Sequence, residues 1–215
     1  MKTIHAIILS GGDSSRMGSH KALLNFGGES FLEHCIEALS HESIANVFVM
    51  TGTAHDEIDK HVQERSLPVT LIRNPHPDEG QYSSLQMGIR SVPKVVDAVI
   101  VHLVDHPLVK KETVAAILKR FEETNASITI PSYQHRRGHP VLYSSSLFQE
   151  IISTFPEHGA RSILDLHKAE IEYVNVDDPG IRIDIDTRDE YEQALHAAIP
   201  KAKHDFITIN QKKPN

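Results

Sequence analysis

Ile4–Leu9 is a near-continuous apolar run, the pattern of a β-strand covered on both faces. A Gly/Ser-rich stretch over 10–20 follows, and Ser30 with Glu33 makes a capping box that predicts a helix start. Residues 47–50 and 69–72 read as the second and third strands. The segment 74–81 (NPHPDEGQ) is turn chemistry, followed by a helix through Leu85, Met87 and Ile89. Residues 98–104 form another buried strand, ending at Asp105. Over 111–123, Val114, Ile117, Leu118 and Phe121 share one helical face. Residues 127–131 and 139–143 read as two strands joined by the basic turn His135-Arg136-Arg137-Gly138. Helices are expected over 147–153 and Ala160–Leu166, and strands over 171–176 and 181–185. A second capping box, Thr187 with Glu190, opens a last helix to about Ile199. Short β-rich runs alternating with amphipathic helices predict an α/β domain. Without repeats or low-complexity linkers, residues 1–199 read as one domain and 200–215 as a polar, flexible tail.

Composition narrows the function. The chain has 215 residues, 40% hydrophobic and 24% charged, enough to bury roughly 70% of its unfolded surface. A single cysteine, Cys35, excludes a disulfide framework, and its place in an amphipathic helix makes it a core thiol. No apolar run approaches the ~20 residues of a membrane span. The apolar run 6–9 is too short for a signal peptide and leads into glycines, so a cytoplasmic protein is expected. Lys plus Arg is 22 against 29 Asp plus Glu, a formal charge of -7, which argues against nucleic-acid or anionic-membrane partners. A small anionic ligand held by a few local cations stays open. Among 15 histidines, no spacing declares the three or four converging ligands of a transition-metal site.

The candidate chemistry begins straight after the first strand, at LSGGDSSRMGSHK over 9–21. Glycines there let backbone N–H groups approach an anion, and Arg16 and Lys21 add positive charge. A P-loop needs glycine where Met17 stands, and a dinucleotide fingerprint fails because the glycines are Gly11, Gly12 and Gly18. By itself the loop is equally a plain strand-to-helix connection. Asp105 ends a buried strand, where ligands bind in open α/β sheets, although an aspartate there also serves as a turn or cap residue. Asp184 and Asp186 alternate along a predicted strand end and so share a face. One or two such carboxylates suffice for Mg2+, which also takes phosphate oxygens and water. The basic turn at 135–138 is either a solvated hairpin tip or an anion site, and Arg161 either an anion contact or an ordinary surface residue.

The run from Leu9 to Lys21 also fits [LA]-x-G-G-x-S-x-R-M-G-x-x-K, and with it the chain resembles the MobA-like nucleotidyltransferases, especially the molybdenum cofactor cytidylyltransferases. The resemblance continues through Gln81-Tyr82-Ser83-Ser84-Leu85, Val104-Asp105-His106-Pro107-Leu108, Arg137-Gly138-His139-Pro140-Val141, Gly159-Ala160-Arg161 and Asp184-Ile185-Asp186-Thr187. These blocks keep the family order from residue 4 to about 195. It implies a single-domain, Rossmann-like three-layer sandwich with a mostly parallel sheet, the nucleotide-diphospho-sugar transferase or GT-A-like fold. It implies transfer of CMP from CTP to the phosphate of a pterin cofactor, with release of pyrophosphate. Arg16, Lys21 and Asp105 become catalytic residues. Leu9, Ser10, Gly11, Gly12, Ser14, Arg16, Met17, Gly18, Lys21, Gly80, Ser83, Ser84 and Leu85 would hold the nucleotide. His106, Arg137, Gly138, His139, Pro140 and Arg161 would meet the acceptor, with His106 standing where the family often has Met. Mg2+ would sit on Asp105 and Asp186, with Asp184 the fallback for the second ligand. A transient contact with a molybdoenzyme or its maturation factor is implied as well. Guanylyl transfer to the same cofactor, nucleotidyl transfer to a sugar or alditol phosphate, and a non-catalytic nucleotide-binding regulatory module are the alternatives.

Overall fold

All six residues of the first apolar run are buried, as a strand enclosed on both faces requires: Ile4–Leu9 is β1, at the centre of an eight-stranded sheet. The computed structural model describes residues 2–10, 20–153 and 159–198. In chain order, β1 is followed by the hairpin β2 (Asn25–Phe26) and β3 (Glu29–Ser30), α1 (Phe31–Ala38), β4 (Ile44–Thr51), α2 (His55–Arg65) and β5 (Thr70–Arg73). Next come α3 (Gln81–Ser91), β6 (Ala98–Leu103), α4 (Lys111–Thr124), β7 (Ile128–Tyr133), β8 (Arg136–Arg137) and β9 (Val141–Ser144). The chain continues through α5 (Phe148–Ser153), α6 (Ala160–Leu166), β10 (Ile171–Asn175) and α7 (Arg188–Ala198).

The sheet order is β10-β7-β9-β6-β1-β4-β5, with β8 on β7. β1 runs parallel to β4 and to β6, with Leu9 opposite Met50 on one side and Leu103 on the other. β5 is parallel to β4, and β10 to β7. β9 reverses direction between β6 and β7, so the sheet is mixed but mostly parallel. Alternation along β1 divides the core. Ile4, Ala6 and Ile8 pack with α1, α2, α4 and α7 on one face. Ile7 and Leu9 pack with α3, α5 and α6 on the other, which completes a three-layer α/β sandwich.

From β1 the chain builds outward through β4 and β5, then returns to lay β6 on the opposite side of β1. That reversal is the position where open α/β sheets bind ligands, beyond the carboxyl ends of the strands. Leu9 and Leu103 end the two strands there, leading into Ser10 and Asp105.

Both expected capping boxes form. Ser30 Oγ accepts from the Glu33 N–H at 3.2 Å while Glu33 Oε2 accepts from the Ser30 N–H at 2.8 Å. The Thr187 and Glu190 pair does the same at the start of α7. The β2 and β3 hairpin is not among the elements expected from the sequence, and three further elements differ from expectation. α2 was not among the predicted helices, since Ile58 and Val62 are its only buried residues. The turn after β7 is Gln134-His135, both at positive φ (50° and 62°), so Arg136 and Arg137 pair with β7 instead of forming the turn. The expected strand over 181–185 is a short 3-10 turn, Pro179–Arg182, capped by Asp178 and followed by extended chain. Asp184 and Asp186 therefore do not share a strand face: Asp184 is exposed, whereas Asp186 is half-buried.

No helix among the described residues is long and apolar enough to cross a membrane.

Candidate active site

Three side chains distant in sequence meet where β6 ends. Lys21 begins a 3-10 turn whose next residue, Ala22, is fully buried, so its backbone is anchored. Its ammonium pairs with Asp186 and lies 3.7 Å from Asp105 Oδ2. Asp105 follows the β6 end, and its carbonyl accepts from the Ile185 N–H at 2.9 Å, which fixes the approach of the 179–186 segment. Asp105 Oδ1 is buried and has no hydrogen-bond partner among the described residues. Burial raises the Asp105 pKa, and a second carboxylate at Asp186 pushes the same way, against His106 and Lys21.

This donor set fits a hard divalent cation. An orphaned, desolvated carboxylate oxygen beside a second carboxylate provides two oxygen ligands, the usual protein share for Mg2+ when phosphates and water supply the rest. Among the described residues, no group of three or more His, Cys, Asp and Glu is arranged to hold a metal ion.

Behind Asp105 stand three imidazoles. His106 Nε2 is 3.9 Å from Asp105 Oδ1, and the His106 and His139 rings lie 5.1 Å apart. His102, fully buried on β6, has both ring nitrogens unpartnered. Burial keeps His102 far below the ordinary histidine pKa and holds His139 at about 3, so both are neutral at physiological pH. The sequence spacing of His102 and His106 did not reveal this cluster, because His139 comes from a different strand connection.

His139 also lines a cleft of about 630 Å3 at the edge of this cluster. Its walls come from the β1 end (Leu9), the start of α3 (Gly80, Gln81, Tyr82 and Leu85), the 137–139 connection, β9 (Val141 and Tyr143) and the start of α6 (Gly159 to Arg161, with Leu164). Of the expected nucleotide contacts, Leu9, Gly80 and Leu85 line the cleft. Ser83 and Ser84 do not: both are buried, and their hydroxyls accept from Asn74 Nδ2 at 2.9 and 3.0 Å. Asn74 was missed in the sequence because its segment reads only as a turn. Ser10 is buried at the β1 end with its hydroxyl unpartnered. Gly11, Gly12, Ser14, Arg16, Met17 and Gly18 lie outside the described residues.

Of the expected acceptor contacts, Arg137, Gly138, His139 and Arg161 line the cleft, while His106 and Pro140 are buried behind it. Gly138 is dictated by a close approach. A Cβ there would meet the Ile181 carbonyl oxygen at 2.1 Å, and the His139 N–H donates to that same oxygen at 2.9 Å. Arg161 is exposed and pairs loosely with Asp165 at 3.9 Å. The phenols at the cleft, Tyr82 and Tyr143, were not anticipated; burial raises both of their pKa values.

The outer wall is clamped by His167, just past α6. Its Nδ1 is 2.9 Å from Glu170 Oε1 and its Nε2 2.9 Å from Glu150 Oε2. An imidazole bonded to carboxylates through both nitrogens must carry both protons. The Glu170 bond leads in raising its pKa, with Glu150 adding to it. A raised histidine pKa gives stability that is complete below the unfolded value, about 6.5, and is lost as pH rises through the folded value. His167→Gln is therefore expected to lower the melting temperature more at pH 6 than at pH 9. Equal losses at both would show that the clamp is uncharged.

A cationic side chain between two carboxylates thus stands at the switch point of the α/β sheet, beside the His106 and His139 pair that reaches the cleft. Comparison with known proteins gives the family. The sequence profile of the MobA-like NTP transferase domain matches residues 6–172, and the chain belongs to that family. A probable molybdenum cofactor guanylyltransferase of Bacillus mycoides is 24% identical over 90% of this chain and 96% of its own length. The bifunctional protein GlmU of Rhizorhabdus wittichii is 28% identical over 58% of this chain, which spans only 27% of that protein. Among solved structures, the Rv0371c homologue from Mycobacterium sp. strain JC1 superimposes with a TM-score of 0.76 at 23% identity, covering 92% of this chain and 98% of the other. Rv0371c of Mycobacterium tuberculosis in complex with manganese gives 0.70 at 20% identity, covering 91% and 99%. The fold is shared with these, and the chain is an enzyme of the nucleotidyltransferase type.

Proposed function

We propose that the protein transfers CMP from CTP to the phosphate of a molybdopterin-type pterin cofactor. A phosphate oxygen of the acceptor attacks the α-phosphorus of the triphosphate. The bond from that phosphorus to the bridging oxygen of the β-phosphate breaks, and its electron pair leaves with pyrophosphate. Such chemistry calls for positioning and charge neutralisation more than for a protein nucleophile.

The observation that carries this reading is the continuity between cleft and carboxylates: His139 lines the cleft, touches His106, and His106 borders Asp105. In this reading the triphosphate lies at the carboxyl ends of β1 and β6, where the Ser10 hydroxyl and the Lys21 ammonium can meet its oxygens. Arg137 and Arg161, on the cleft wall, meet the anionic acceptor and hold its phosphate toward the α-phosphorus. His139, neutral and desolvated, shapes the cleft wall without adding charge. Mg2+ held by Asp105 and Asp186 would neutralise charge on the phosphates. A manganese complex among the structural neighbours supports a divalent ion of this kind.

The family blocks Ser83-Ser84-Leu85 and Gly138-His139-Pro140 support cytidylyl transfer. The name of the Bacillus mycoides relative supports guanylyl transfer to the same cofactor as the second reading. Pyrophosphate release, measured with CTP and with GTP in the presence and absence of the phosphorylated pterin, tests both. Acceptor-dependent release with CTP, at least about tenfold faster than with GTP at equal concentration, is the expected outcome; a tenfold ratio corresponds to 1.4 kcal/mol of discrimination. A preference for GTP replaces the first reading by the second, and release that ignores the pterin overturns both.

A further inference from the structure

The described cation on the carboxylate pair is part of the protein itself. Lys21 reaches both Asp186 and Asp105, the two carboxylates that a divalent ion would need. Only its side chain has to move to vacate them. The turn Lys21–Leu23 is pinned by buried Ala22 and by the Leu23 N–H to His20 carbonyl and Leu24 N–H to Lys21 carbonyl bonds, at 2.9 and 3.1 Å. The four-carbon stem above that anchor can swing by rotamer changes alone.

From this geometry we propose that Lys21 is the resident counter-ion of Asp105 and Asp186 in the ligand-free protein, and that a bound triphosphate draws it away, so that divalent-metal binding depends on the nucleotide. The charges explain the order. Among the described residues, the two carboxylates and the ammonium leave a single negative charge, and a divalent ion added beside the ammonium meets a like charge at close range. A triphosphate reverses this balance. It offers the ammonium a more highly charged partner only a side-chain swing away, and it brings oxygens that complete the shell of the incoming ion. The orphaned Asp105 Oδ1 fits the same picture, since Lys21 compensates the pair through Oδ2 and leaves one buried acceptor waiting.

The inference rests on the divalent-ion assignment made under the proposed function, but not on the identity of the base or the acceptor. It is tested by titrating Mn2+ into the full-length protein and following the loss of the free-ion electron paramagnetic resonance signal. Wild type should bind Mn2+ weakly alone. By reciprocity, adding Mn2+ should tighten CTP binding, measured calorimetrically, by about tenfold or more, within the usual range of coupling between two ligands. Lys21→Met should bind Mn2+ without nucleotide about tenfold more tightly than wild type, whereas Lys21→Arg should stay close to wild type. Adding Asp105→Asn to Lys21→Met should abolish the gain and so place the ion on this pair. The proposal is overturned if Lys21→Met binds Mn2+ no more tightly than wild type, if its tight site survives Asp105→Asn, or if Mn2+ leaves the affinities for both CTP and GTP unchanged in wild type. The wild-type measurement stands even if Lys21→Met fails to fold. Absence of pyrophosphate release with a pterin acceptor, alongside intact Mn2+ competition, would sink the transfer reading and leave the role of Lys21 in place.

Discussion

Asp105→Asn is expected to lower pyrophosphate-releasing turnover by about 10²-fold or more, the scale seen when one charge-stabilising group leaves a preorganised site. The same change is expected to raise the melting temperature at neutral pH. Burial raises the Asp105 pKa in the folded state, so the fold prefers the protonated carboxyl. The ionised form then costs stability at pH values above the folded pKa, and that cost fades as pH falls through it. Asparagine is neutral throughout. The melting-temperature gap between variant and wild type should therefore be widest at pH 7–8 and narrow on acidification toward the ordinary carboxylate range near 4, with each kcal/mol recovered worth about 2–4 °C in a domain of this size. Lys21 keeps Asp186 as a partner in the variant, so the substitution does not strand the ammonium. Full turnover in Asp105→Asn would remove Asp105 from the reaction, and an unchanged melting temperature at pH 7–8 would show that its burial carries no cost.

Gly138→Ala is expected to damage both fold and cleft. The added methyl would meet backbone, the Ile181 carbonyl oxygen and carbon at 2.1 and 2.7 Å, and neither can turn aside as a side chain would. The 179–182 turn and the 137–139 connection must separate, which breaks the His139 N–H bond to Ile181 and shifts Arg137 and His139 in the cleft wall. A loss of about 1–3 kcal/mol is expected, the usual range for overpacking. Denaturant melts measure that loss, and the Michaelis constant for the pterin acceptor should rise with it. Gly88→Ala serves as the comparison: its nearest contact is the Ile7 Cγ2 methyl at 2.9 Å, a side chain that can adjust, so its loss should be smaller. A Gly138→Ala protein as stable as wild type would mean that the two segments are not in close contact.

How far the sequence reveals this molecule depends on whether local pattern and tertiary role agree. The β1 run and the apolar face of α4 are legible because burial and periodicity coincide there. The Ser30 and Glu33 box is legible because its hydrogen bonds are local. The segment 181–185 misleads because Ile181, Ile183 and Ile185 alternate with charged residues at the period of a strand. Asp178 caps a 3-10 turn at Pro179–Arg182 instead, Ile183 is left exposed, and Ile181 and Ile185 bond the backbone of His139 and Asp105, which lie in connections outside the strands. α2 is missed for the opposite reason, since its sequence HDEIDKHVQER offers the core only two side chains. The turn at Gln134-His135 carries neither glycine nor asparagine to mark it. In the site, Asp105 and Arg137 are visible as motif residues. The histidine cluster and the engagement of Ser83 and Ser84 by Asn74 are products of tertiary packing, and no spacing announces them.

Lys21, Asp105 and Asp186 are spread along the chain, the first and the last 165 positions apart. During synthesis the parallel strands β1, β4, β5 and β6 emerge first and carry Lys21 and Asp105 with them. Asp186 follows only after β7, β9 and β10, the strands that extend the sheet beyond β6. A nascent or prematurely terminated chain can thus assemble the central sheet and still lack one of its two carboxylates.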